Sequence, residues 1–416
     1  MKERGTPIQV EEALERILHT ISPLGTEKID LGACDGRRLG EDVCAAYDLP
    51  PFDRSPYDGY AVRAEDTYEA SQEHPVTLEI IEEIPAGRLA QRALRAGQAS
   101  RIMTGAKLPV GCDAIVMQEL TQVVERDGKR YVLIKRPFRP GDHISYQGEE
   151  CARGTLLVTQ GTVINPGVKA LLAAFGYAQV PVMRQPLVGV LATGTELVGV
   201  DEPLPAGKIR NSNATMIVSQ IKRSGAVAVN YGRADDEIGA VTAKIKQAME
   251  EVDIVITTGG VSVGDYDFVP TIYEKLGAEL LFDKVAMRPG SVTSAARLGD
   301  KLLIGLSGNP SACYVGFELF VRPLIRKLTG VTDPRWQAVE AFLAADFPKA
   351  NPFNRYVRAN VSFQGGMLMV EPSGKDKSNV MSSLASCNAL MLLPGGTRGF
   401  ERGAKVEVYL LDTLEP

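Results

Sequence analysis

Only three histidines, His19, His74 and His143, occur in the 416 residues, and they are scattered. They cannot supply the His/Cys set of a zinc site or an evident nucleophilic triad, so chemistry falls to carboxylates, hydroxyls, lysine, arginine or hard metal ions. The six cysteines, Cys34, Cys44, Cys112, Cys151, Cys313 and Cys387, form no CxxC pair and no short framework. That spacing excludes a disulfide scaffold and fits reduced thiols. Long apolar runs are missing too. No stretch approaches the roughly 18 residues of a membrane span, and the opening MKERGTPIQVEEALERIL is charged where a signal peptide is apolar. The expectation is a cytoplasmic protein without a membrane partner. Positive charge is not in excess either: the net charge is -5. Nothing attracts nucleic acid globally, so an anionic ligand must be held by local basic residues.

Hydrophobic residues at 44% and charged residues at 23% are ordinary for a folded protein. The length predicts roughly two to four domains. Residues 8 to 21 place Ile8, Val10, Leu14, Ile17, Leu18 and Ile21 on one helical stripe, with Glu11, Glu12, Glu15 and Arg16 opposite. From 46 to 142 the chain changes to short β-like runs (VTLEIIEEI, AIVMQEL, RYVLIK) broken by Pro and Gly, a β-rich insertion. Residues 143 to 182 return to turns and one apolar helix, INPGVKALLAAFGY, and are expected to rejoin residues 1 to 45 in a discontinuous domain. Between 183 and 329, strands rich in Val, Ile and Leu alternate four times with helices. That order predicts right-handed crossovers and a parallel sheet covered on both faces, the three-layer α/β class. Beyond 330, strand-like runs without helices predict a small all-β domain to residue 416.

Ligands of open α/β sheets bind outside the carboxyl ends of the strands. ITTGGVSVGDYDF carries Thr258, Gly259, Gly260, Ser262 and Gly264, and GLSGNPSA carries Ser307, Gly308, Asn309 and Pro310. Glycines let backbone N–H groups approach phosphate oxygens, and Asn309–Pro310 reads as a cap and first turn that aim a helix N-terminus at the same edge. Turns needing positive φ explain either loop alone, but less well both together. Carboxylates gather there: Glu196, Asp235, Asp236, Asp265 and Asp267. A hard divalent cation such as Mg²⁺ reconciles acids with phosphate, although Asp235, Asp236 and Asp267 serve equally as helix caps. Lys284 and Arg288 in KVAMRPGS, then Arg355, Arg358, Lys375 and Lys377, offer cations. Upstream, Asp58-Gly59 in PPFDRSPYDGYAVR has the form of a tight turn, and RIMTGAKLP holds Thr104.

Taken in order, PPFDRSPYDGYAVR, RIMTGAKLP, RPGDHI, GTEL, IRNSNATM, TTGGVSVGDYDF, KVAMRPG, GLSGNPSA and SNVMSSL resemble the molybdopterin molybdenumtransferase family from about residue 7 to 412. The resemblance implies an elongated homodimer whose chain has four parts: a discontinuous domain (1–45 and 143–182), the insertion (46–142), the α/β molybdopterin-binding domain (183–329) and a C-terminal β-barrel (330–416). It implies insertion of molybdate into adenylylated molybdopterin with release of AMP, assisted by Mg²⁺, at a site completed by the partner's insertion domain. Other cofactor-assembly proteins are possible partners in that pathway. By motif position it assigns catalytic roles to Asp58, Thr104, Glu196, Asp235, Asp267, Lys284 and Arg288, with Glu196, Asp235 and Asp267 as metal ligands. It adds substrate contacts from Asp142, Ser378 and one of Arg355 or Arg358. Two departures stand out: RPGSV replaces a KPGKP-like stretch, and GLSGNP replaces GLPGNP. The competing readings are a non-catalytic pterin- or nucleotide-binding scaffold, a tungstate-inserting paralogue, and the related adenylyltransferase step.

Overall fold

The opening stripe forms helix α1 (Val10–His19), which buries Val10, Ala13, Ile17 and Leu18 and starts with Glu11 and Glu12 where the helix dipole favours acids. The computed structural model describes residues 6–259 and 269–411. Contacts divide the chain into two units, Met1–Gly40 with Pro181–Pro416, and Glu41–Val180. Helix α1 shares a core with the first unit's α/β sheet, whereas residues 143–180 lie in the second unit.

In the second unit, β1 (Gly59–Val62), β2 (Val76–Ile84), β3 (Gln98–Ile102), β4 (Ala114–Met117), β5 (Thr121–Arg126) and β6 (Lys129–Ile134) form one sheet in the order β4-β1-β3-β2-β6-β5. Tyr60, Val62, Leu78, Val116, Val132 and Ile134 fill its core. Helix α2 (Pro166–Ala174) begins where Asn165 accepts from the Val168 N–H at 2.9 Å, with proline in its first turn.

The α/β sheet is built from β7 (Leu187–Thr193), α3 (Ser212–Arg223), β8 (Val227–Ala234), α4 (Ile238–Glu251), β9 (Ile254–Thr258), α5 (Val269–Leu276), β10 (Glu279–Phe282), β11 (Ser294–Leu298) and β12 (Lys301–Leu306). Its strand order is β8-β7-β9-β12-β11-β10. The first four strands are parallel, as expected; β11 and β10 extend the sheet antiparallel, which the sequence reading did not foresee. Both faces are apolar, in strict alternation. Val188, Val190, Ile254, Ile256, Leu302 and Ile304 enter one core cluster, and Leu191, Val255 and Leu303 the other. The run after β12 comprises α6 (Pro310–Gly316), a π turn (Phe317–Val321) and α7 (Arg322–Leu328). Pro323 lacks the N–H that an α-helix would direct at residue 319, and the helix widens just before it.

Strands β13 (Ala338–Leu343), β14 (Asn354–Gln364), β15 (Met367–Pro372), β16 (Ala389–Leu393) and β17 (Lys405–Leu410) pair in the order β14-β15-β13-β17-β16, and β16 returns to β14. The closed barrel leaves no free edge within the ring. Gly365 and Gly366, at φ 58° and 82°, make the two-residue turn from β14 to β15. Met287–Arg288 pairs in parallel with Asn354–Arg355, tying the α/β segment to the barrel. Among the described residues no helix is long and apolar enough to cross a membrane.

Candidate functional site

Three loops meet at the carboxyl ends of the parallel strands. The first runs from Thr193 through Gly194 to Glu196, the second leaves β9 at Gly259, and the third leaves β12 through Ser307, Gly308 and Asn309. Gly259 has φ 93°, and a side chain there would collide with the Thr193 carbonyl, so only glycine allows this approach. A Cβ on Gly308 would lie 3.6 Å from the Gly259 Cα, which puts the second and third loops in contact. Asn213, in the first turn of α3, donates from Nδ2 to the Gly308 carbonyl at 2.8 Å.

These loops form one wall of a cavity of about 680 Å³; Met287–Gly290 and the barrel residues Arg355, Asp376, Lys377 and Ser378 form another. Of the residues singled out from sequence, Glu196, Asp236, Gly259, Arg288, Ser307, Gly308, Asn309, Arg355, Lys377 and Ser378 line it. Others do not. Thr258 is buried in β9 opposite Leu306. Asp235 is exposed outside the lining; its neighbour Asp236 takes the place on the wall and accepts from the Thr195 N–H at 3.2 Å. Lys284 also lies outside the lining, in a segment whose backbone accepts from the Ile8 N–H. Gly260, Ser262, Gly264 and Asp267 lie outside the described residues.

The helix start at Asn309–Pro310 differs from the expectation. Asn309 accepts from the Cys313 N–H through its carbonyl, but its side chain makes no cap, and the Ser311 N–H donates to the Ser378 carbonyl at 3.1 Å. Part of the helix terminus is thus spent on a barrel loop. Arg358 is not a ligand clamp either. It is 2% exposed, bonds Ser383 through Nε, and donates from Nη2 to the Lys375 and Lys377 carbonyls at 3.1 and 3.3 Å. Burial lowers its pKa, and its work is to brace that loop.

In the second unit, Asp58 accepts from both the N–H and the hydroxyl of Thr104, each at 2.7 Å. These bonds, backbone first, hold the Asp58 carboxyl below the usual aspartate range, with Arg101 adding a smaller pull. Gly59 is not a turn residue. It begins β1, where a side chain would strike the Val116 carbonyl across the sheet. Asp142 closes a turn, accepting from the Arg139 N–H at 2.8 Å.

No group of three or more His, Cys, Asp or Glu side chains among the described residues is arranged to hold a metal. Glu196 and Asp236 nevertheless share the cavity wall. Mg²⁺ asks for only one or two carboxylates when phosphate oxygens and water complete its shell, so this pair fits that ion bound together with a phosphate ligand. The residues missed from sequence are Asp376 on the lining and two that support it from behind, Asn213 and Asn351, the latter accepting from Arg355 Nε. Asn213 lies within IRNSNATM, whereas Asp376 between two lysines resembles any solvated acid.

Residues 8–176 match the MoeA N-terminal region (domain I and II), 189–327 a probable molybdopterin binding domain, and 340–411 the MoeA C-terminal region (domain IV). The chain is 54% identical over 411 residues to the molybdopterin molybdenumtransferase of Bacillus subtilis (strain 168), covering 99% of this chain and 96% of that protein. It is 44% identical to the protein of the same name from Staphylococcus aureus (strain MSSA476), covering 99% and 97%. A solved molybdopterin biosynthesis MoeA protein from Pyrococcus horikosii superposes with a TM-score of 0.86 at 30% identity, over 98% of this chain and all of that one. The chain therefore belongs to the molybdopterin molybdenumtransferase family.

Proposed function

We propose that this chain inserts molybdate into adenylylated molybdopterin and releases AMP. The observation that carries the reading is the single cavity in which glycine loops, the cations Arg288, Arg355 and Lys377, and the carboxylates Glu196 and Asp236 meet at the carboxyl edge of a parallel sheet. Both substrates are anions. Arg288, Arg355 and Lys377 hold oxyanion charge in a recess, and the close-packed loops at Gly259 and Gly308 let a phosphate approach the backbone. Glu196 and Asp236 would hold Mg²⁺, which supplies charge neutralisation at the pyrophosphate oxygens when bound. Asp267, outside the described residues, is proposed as a further metal ligand on the strength of the family resemblance alone. The Asp58–Thr104 pair is a preorganised, ionised acceptor, and we assign it to the same chemistry in a cytoplasmic homodimer built from four-part chains.

The test supplies purified protein with adenylylated molybdopterin, Mg²⁺ and either molybdate or tungstate, and follows AMP. Oxyanion-dependent AMP release is expected. Binding of the pterin without AMP release would make the chain a scaffold, and release with tungstate alone would make it the tungstate-inserting paralogue.

A further inference from the structure

We infer that Asp376 and Asn351 are positioning residues that aim one nitrogen of Arg355 into the cavity, at the oxyanion which the function proposed above has Arg355 hold. The Arg355 guanidinium donates from Nε to Asn351 Oδ1 and from Nη1 to Asp376 Oδ2 at 2.8 Å. Among the described residues Nη2 has no hydrogen-bond partner, and Arg355 lines the cavity. A planar fork fixed at two of its three nitrogens presents the third in one direction. The two anchors are themselves fixed. Asn351 is 2% exposed and the Asp376 side chain 6%. Asp376 also holds Lys349 Nζ at 3.1 Å and lies 3.9 Å from Arg358. The same carboxylate therefore sets both Arg355 and the loop that brings Lys377 and Ser378 to the lining.

This assignment opposes the simplest electrostatic expectation. A carboxylate on the wall of an anion site repels the anion, so its removal should tighten binding. If Asp376 instead positions Arg355, its removal loosens binding, because the guanidinium loses its fixed aim. The ligand is a tetrahedral oxyanion, either molybdate or a phosphoryl group of the adenylylated pterin, and this step rests on the function proposed above.

The experiment uses the full chain and measures AMP release for the parent, Asp376→Asn, Asp376→Ala, Asn351→Ala and, as a control, Lys405→Ala. Molybdate is titrated at saturating adenylylated pterin, and then the reverse. With a charge-assisted hydrogen bond at stake, Asp376→Ala should raise KM for one anion roughly tenfold with kcat little changed. Asp376→Asn should recover part of the loss, since its amide oxygen still accepts from Nη1. Lys405→Ala should match the parent, because Lys405 is exposed, pairs with Glu340 and is off the lining. The anion whose KM moves is the one Arg355 holds. Unchanged or lowered KM for both anions in Asp376→Asn and Asn351→Ala overturns the inference. If the parent itself releases no AMP, the functional reading fails separately. Calorimetric titration of molybdate and of pyrophosphate onto the same variants then decides, and affinities equal to the parent's overturn the inference.

Discussion

Replacing Glu318 with alanine should cost the first unit about 2 to 4 kcal/mol. Glu318 is fully buried in the π turn between α6 and α7. Its carboxylate accepts from Gln220 Nε2 at 2.7 Å, Arg223 Nη2 at 2.5 Å and Arg322 Nη1 at 3.2 Å. Deleting one partner of a buried ion pair typically costs about 3 to 5 kcal/mol, because the remaining charges stay desolvated. Two features reduce that figure here: the Arg223 side chain is 32% exposed and can rehydrate, and Arg322 keeps the Leu411 carbonyl at 2.9 Å. At roughly 2 to 4 °C per kcal/mol for a unit of this size, the melting temperature should fall by about 4 to 16 °C. Glu318→Gln retains an acceptor but loses the charge, and should cost about half as much. The chain's single tryptophan, Trp336, donates from Nε1 to the Glu318 carbonyl at 2.6 Å, so urea unfolding followed by its fluorescence reads the local structure directly. Far-UV circular dichroism supplies the global transition. If Glu318→Ala stays within 1 kcal/mol of the parent by both probes, the network is not a source of stability and the reasoning fails.

Gly259→Ala should destabilise by about 1 to 3 kcal/mol and slow AMP release, since φ 93° and the Thr193 carbonyl both oppose a Cβ; normal melting and turnover would refute the interlocked loops. Thr104→Val should move the Asp58 titration upward in an NMR pH series. The Thr104 bonds favour the ionised carboxylate, so their contribution is complete above the unfolded pKa of about 3.9 and is lost as pH falls through the lower native value. An unmoved titration would remove the hydroxyl from the pair. Arg288→Ala should weaken the affected anion roughly tenfold in AMP-release titrations, and Arg288→Lys less, because the ammonium keeps the charge and loses the fork. Two unchanged titrations would mark Arg288 as a surface residue.

The α/β repeat was legible because its strands are apolar on both faces and its helices are long enough for their period to show. β10 and β11 were not, since ELLF and SAARL are short and carry no alternation that separates them from loops. The barrel's strands could be read singly, but its closure is a pairing property that no strand's composition encodes. The site followed the same division. Glycine and hydroxyl loops after strands announced the cavity edge by position. Choices between neighbours did not resolve: Asp235 and Asp236 are adjacent in a loop without a period, and Arg355 and Arg358 both approach Asp376 from one strand. Lys284 and Arg288 were both read as cations of KVAMRPGS, but only Arg288, on the extended pair that joins the barrel, reaches the cavity lining.

The parallel register that joins Arg288 to Arg355 sets two like charges side by side on the cavity wall. Neighbouring cations across a ladder repel, and Asp376 compensates only the second of them. Among the described residues Arg288 has no ion-pair partner, so a bound anion can supply the missing counter-charge at the junction of sheet and barrel. By thermodynamic linkage, an oxyanion seated there raises the melting temperature of the whole unit in a concentration-dependent way, and moderate salt does part of the same work by screening.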